Sequence, residues 1–147
     1  LPIFGLFGPY FANKLFMKTR DELSSLFVLF VVSAAALAVL MVFGKYSLII
    51  SIVALAITYA CSLGQNMFTV GSIPMYFSKV GKVSIITGIM EATSYMGTAS
   101  LTFITGQLVE SLGWTFVMGV WFVLAVVAAF ATMFAKRRWN KFRRNLF

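Results

Sequence analysis

One carboxylate lies well inside an apolar stretch of this 147-residue chain. Glu91 belongs to the segment GIMEATSYMGTAS, residues 88–100, and has hydrophobic residues on both sides. A charged side chain at membrane depth costs several kcal/mol unless it is paired, hydrated or protonated. Glu91 is therefore the first candidate for chemistry, as a contact for a substrate or a coupling ion. A structural pairing with a cation from another segment is the alternative.

Glu91 is part of a polar stripe at helical spacing, and the preceding apolar run carries a second one. At about 100° per residue the members of each stripe share one helix face. The first stripe contains Ser84, Thr87, Glu91, Tyr95, Thr98, Thr102 and Thr105, and the second contains Ser51, Thr58, Ser62, Gln65 and Thr69, with Asn66 beside it. We predict a substrate path lined by Gln65, Asn66, Glu91, Tyr95 and Thr98. Ser and Thr side chains can instead bond their own backbone or a neighbouring helix.

Small residues form a separate stripe beside the one that contains Glu91. They are Gly88, Ala92, Ala99 and Gly106. Small side chains let two helices approach closely in lipid, where hydrophobicity does not drive their association. We predict that this flank packs against another helix.

The composition excludes an ordinary soluble domain. Hydrophobic residues make up 61% of the chain and charged residues 11%, whereas soluble domains carry about 25% charged residues. Backbone groups in lipid must bond within their own segment, so we expect an all-α integral membrane protein. The chain has no His and a single Cys, Cys61. We therefore expect no catalytic residues, no metal site, no cofactor and no enzyme activity.

Four apolar runs are long enough to cross a bilayer, which takes about 20 residues. They cover residues 23–43, 47–71, 83–109 and 114–135, and a basic tail follows at 136–147. The first apolar stretch, 1–12, is shorter. We interpret it as the end of a truncated helix, so that 1–147 is part of a larger transmembrane domain. A short re-entrant or interfacial segment is the alternative.

Basic residues are distributed unevenly between the two sides of these spans. Of the 12 lysines and arginines, only Lys45 falls on one side. The others lie in residues 13–20, in residues 72–82 and in the tail. This asymmetry predicts a multi-pass protein of the cell membrane with a cytoplasmic C-terminus. The tail either contacts anionic lipid or only fixes the topology, and cations placed beside spans do not indicate nucleic acid binding.

Two segments resemble the major facilitator superfamily of transporters. NKLFMKTR, residues 13–20, resembles the cytoplasmic loop between helices 8 and 9 in many members, with Asn13 where Asp is usual. The resemblance assigns the loop motif to Asn13, Lys14 and Arg20. Residues 73–114 resemble the loop between helices 10 and 11 and helix 11 of the organophosphate:phosphate antiporter branch, through Pro74, the Tyr95-x-Gly97 pair and the Gly106–Trp114 spacing.

The resemblance implies a fold of 12 helices, of which this chain covers the end of helix 8 to helix 12. In that family helices 9 and 12 are peripheral, and two six-helix halves rock about a midplane site. It implies a secondary active transporter of a small polar or anionic solute, with the lipid bilayer, a substrate, a coupling ion and the missing N-terminal half as partners. Two alternatives remain open: a drug/proton antiporter of the same superfamily, and a complete four-helix membrane protein without transport activity.

Overall fold

A computed structural model gives the fold and describes residues 2–44 and 46–146. The described elements are all helical, as the composition predicts. Lys45, the cation expected on the side opposite the others, lies outside the described residues. The elements in chain order are α1 (Pro2–Thr19), α2 (Glu22–Phe43), α3 (Leu48–Asn66), a π-helical segment (Met67–Ser72), α4 (Ile73–Met75), a 3₁₀ turn (Ser78–Val80) and α5 (Val83–Leu146).

Three segments of the described chain are long and apolar enough to cross a membrane. They are Glu22–Phe43, Leu48–Met75 and Val83–Lys141. The second includes the π-helical segment, which comes just before Pro74. Proline cannot donate the usual backbone hydrogen bond and its ring crowds the preceding turn, so a wider turn there keeps the segment helical. They confirm the prediction of an all-helical chain and are consistent with a membrane protein, while the predicted count of four full spans stays a prediction.

Helix α5 reverses direction at Gly113. Gly113 has φ 79° and ψ 170°, a backbone conformation open essentially to glycine alone. Leu101 and Ala128 line the same cavity, although a continuous helix would separate them by about 40 Å. Helix α5 therefore consists of a first limb, residues 83–112, and a second limb, residues 114–146, that lies back beside it.

Helix α1 packs against α3 through small residues. A Cβ added to Gly8 would lie 2.1 Å from the carbonyl oxygen of Ala60, and one added to Gly64 would lie 3.1 Å from Cβ of Ala12. Ala12 is fully buried. The helix continues through residues 13–19, which the sequence indicates as a loop, and it ends where Arg20 takes a positive φ of 50°.

Helix α2 lies at the centre of the described bundle. Leu26 and Leu29 pack with Ala12 of α1 and Phe68 of the π-helical segment, whereas Leu37 and Leu40 pack with Ala54 and with the second limb. This differs from the peripheral position that the family resemblance implies for helix 9. The buried side chains of α2 form one broad face, and the other side, with Val32 and Val39, is exposed, so α2 contacts its neighbours in succession along its length.

Replacing Gly8 with Ala tests the contact between α1 and α3. Ala favours a helix over Gly by about 1 kcal/mol, but the added methyl group of Gly8→Ala meets a backbone oxygen that cannot move freely. We expect the free energy of unfolding in detergent micelles to fall by about 1–3 kcal/mol. Gly88→Ala is the control, since no described atom other than its own helix backbone lies within 4 Å of the added Cβ. An equal rise in stability for both variants would contradict the close contact.

Candidate functional site

A partly polar cavity of about 600 Å³ lies among α2, α3 and both limbs of α5. Its volume falls within the range of about 300–1,000 Å³ that is typical of small-molecule sites. Four polar side chains line it: Ser33 of α2 and Thr58, Ser62 and Gln65 of α3. The rest of the lining is apolar or aromatic and includes Phe30, Tyr59, Leu101 and Trp121.

The α3 side chains of this cavity share one helix face because they are spaced four and three residues apart. Thr58 donates to the carbonyl oxygen of Ala54 at 2.9 Å, and Ser62 donates to that of Thr58 at 3.0 Å. Both hydroxyl protons are thus used within α3. The buried Nε2 of Gln65 has no hydrogen-bond partner in the described part of the chain. A buried donor left unpaired costs about 1–3 kcal/mol, so a ligand oxygen near Gln65 would satisfy it.

The remaining residues of the predicted substrate path lie elsewhere. Glu91, Tyr95 and Thr98 are exposed on the first limb, and Asn66 is exposed on α3. Thr98 donates to the carbonyl oxygen of Ser94 at 2.9 Å, within its own helix. The structure therefore groups Gln65 with Ser33, Thr58 and Ser62 and does not bring it together with Glu91. That all five residues share a substrate path stays a prediction.

The predicted small-residue flank of the first limb faces open space. Apart from the backbone of the same helix, no atom of the described residues lies within 4 Å of a Cβ added to Gly88 or Gly106, and Ala92 and Ala99 are exposed. Its packing role also stays a prediction. The predicted loop motif falls on the last turns of α1 and on the turn after it. Asn13 and Lys14 are exposed on the helix, and Arg20 is exposed in the turn.

A buried pair of carboxylates, which the sequence analysis did not single out, lies where α1 meets α2. Asp21 is 8% exposed and Glu22 is 2% exposed. Ser24 donates to Oδ2 of Asp21, and Lys136 Nζ of the second limb lies 3.7 Å from the same oxygen. The hydroxyl of Tyr76 donates to Oε1 of Glu22. We call Asp21, Glu22, Tyr76 and Lys136 the carboxylate junction.

The carboxylate junction joins three distant parts of the chain. Tyr76 also packs edge-on against Trp139, with ring centroids 5.4 Å apart and an interplanar angle of 83°. Three segments therefore meet here: the connection between α1 and α2, the residues after α4 and the last part of the second limb. These are the segments that carry the three groups of basic residues, and we call this side of the bundle the basic end. The sequence held one signal for this pair: Asp21 and Glu22, two of the four acidic residues of the chain, lie at the start of an apolar helix.

No family model, curated protein or solved structure matches this chain. Within residues 2–44 and 46–146, no group of three His, Cys, Asp or Glu side chains could hold a metal ion. The lone thiol, Cys61, is buried in the core with Ala12 and Phe68. The cavity at Gln65 and the uncovered stripe at Glu91 are therefore the two features from which a function can be argued.

Replacing Tyr76 with Phe tests the carboxylate junction. The variant keeps the ring against Trp139 but removes the hydroxyl that donates to Glu22, leaving a buried carboxylate oxygen without that bond. We expect the free energy of unfolding in micelles to fall by about 1–3 kcal/mol. Tyr95→Phe is the matched control, because Tyr95 is 72% exposed. If the two variants have the same free energy of unfolding, the hydrogen bond between Tyr76 and Glu22 does not stabilise the carboxylate junction.

Proposed function

We propose that this chain is the C-terminal transmembrane part of a secondary active transporter of the major facilitator type. It moves a small polar or anionic solute by alternating access, with organophosphates as the first substrate class to test. In this proposal the chain lies in the cell membrane, and the basic end faces the cytoplasm. The N-terminal half supplies the remaining helices of the path.

The observation that carries the proposal is the position of Glu91. It lies eight residues into the first limb, about 12 Å along the helix from residue 83. It is exposed, and in the described part of the chain it has no hydrogen-bond or ion-pair partner. A carboxylate facing lipid at that depth is costly, so water, a solute or another helix must cover it. A hydrated transport path provides such cover.

The length of α5 supports the number of crossings in the proposal. At 64 residues it would extend about 96 Å as one straight helix, against about 30 Å of hydrocarbon. The reversal at Gly113 divides it into two limbs, each long enough to span. Together with α2 and α3, the two limbs would make the four crossings of the proposal. An even number of crossings returns the chain to the side of the membrane from which it started. This agrees with the structure, in which the start of α2 and the end of the second limb both lie at the basic end.

Drug/proton antiport is the second candidate within the same class. The cavity that contains Gln65 is lined mainly by apolar and aromatic groups, among them Phe30, Tyr59 and Trp121. Such a lining suits a flat apolar solute better than a phosphate ester. Glu91 would then carry the proton.

The test is a transport assay on the full-length gene product reconstituted in liposomes. Exchange of radiolabelled phosphate against an organophosphate reports the first candidate, and pH-driven movement of a cationic dye reports the second. Glu91→Gln removes the charge and keeps the shape. We expect whichever activity is present to fall about tenfold or more, because a charge-assisted contact is lost in a site of low dielectric.

Glu110→Gln is the matched control for this assay. Glu110 lies on the same limb, close to the reversal at Gly113, where a carboxylate can reach water. We expect its substitution to leave the rate unchanged. A transport rate and pH dependence unaltered by Glu91→Gln would remove Glu91 from the substrate path.

A further inference from the structure

A second cavity, of about 640 Å³, opens at the basic end and is separate from the cavity at Gln65. It lies between the start of α2, the α4 region and the second limb. Leu23, Ile73 and Ala131 contribute to an apolar wall, and Arg138 and Trp139 contribute a guanidinium and an indole. We call it the basic-end groove.

The basic-end groove has an apolar part and a cationic part in a fixed order. Ala131 and Arg138 are seven residues apart on the second limb, which corresponds to about 10 Å along the helix axis. Arg138 is the nearer of the two to the C-terminus, so the cation lies outward from the apolar wall. Trp139 beside it is a residue type enriched where hydrocarbon meets water. The groove therefore changes from apolar to charged toward the C-terminus, just as a phospholipid changes from acyl chains to a charged headgroup.

The charges at the basic-end groove favour an anion. No acidic side chain lines it, and Arg138 has no ion-pair partner in the described part of the chain. The nearby carboxylates already bond elsewhere, Asp21 with Lys136 and Glu22 with Tyr76. Arg137 and Lys141, exposed on the same helix, add positive potential without lining the groove. Basic pockets between membrane helices bind anionic headgroups.

We propose that the basic-end groove binds one anionic phospholipid. The headgroup phosphate pairs with the guanidinium of Arg138, and an acyl chain lies along Leu23, Ile73 and Ala131. A water-soluble phosphate would gain nothing from that apolar wall, which is why a lipid is the occupant. Because Leu23 lies in the first turn of α2 and Ile73 lies three residues before Tyr76, the bound lipid joins the same three segments as the carboxylate junction.

The test uses native mass spectrometry of the whole chain in detergent micelles. Phosphatidylglycerol and phosphatidylcholine with identical acyl chains are titrated separately. We expect one phosphatidylglycerol to bind in preference to phosphatidylcholine. Arg138→Gln should weaken phosphatidylglycerol binding about fivefold, which is the loss of one juxtamembrane cation, and leave phosphatidylcholine binding unchanged.

Two further variants separate the groove from general surface charge. Arg137→Gln removes the same charge from the neighbouring residue, which does not line the groove, and should weaken binding by less than about twofold. Ala131→Phe fills the apolar part at an exposed position, so the chain should stay folded and lose phosphatidylglycerol binding. Equal effects of Arg137→Gln and Arg138→Gln would overturn the proposal. So would equal binding of both lipids, or displacement of the lipid by soluble glycerol phosphate.

Discussion

The buried carboxylate of Glu22 is the constraint on which this arrangement of helices depends. A carboxylate removed from water must find donors, and Tyr76, 54 residues further along the chain, provides one. Tyr76 in turn packs on Trp139, and Lys136 lies beside Asp21. Five side chains from three segments therefore have to be in place together. Because polar contacts in such a cluster satisfy one another, losing one member weakens the others.

This junction explains why the basic residues collect at one end of the bundle. It fixes the connection between α1 and α2, the residues after α4 and the last part of the second limb side by side. Each segment brings its own cations, and the two buried carboxylates offset part of the repulsion between them. The opposite end needs no such cluster, because the turn at Gly113 depends on a glycine conformation and not on charge.

The sequence predicted the helical membrane class because composition and hydropathy depend only on residue types. It also placed Gln65 on the polar face of α3, since helical spacing fixes which side chains share a face. It could not show that Ser33 of α2 joins Gln65, because rotation of one helix against another depends on packing. Asp21 and Glu22 were missed because a charged pair at the start of a helix usually lies in solvent. Partners distant in sequence, Tyr76 for Glu22 and Lys136 for Asp21, lie against the pair in the folded chain.

The central claim is that water reaches Glu91 and not the opposite face of the same limb. Cys61→Ala removes the lone buried thiol, and Glu91→Cys and Ile89→Cys are then compared in membranes containing the full-length gene product. Positions 89 and 91 are both exposed here and lie about 200° apart around the helix. The account predicts that a water-soluble maleimide labels position 91 and spares position 89. Failure to label position 91, or equal labelling of both, would contradict it.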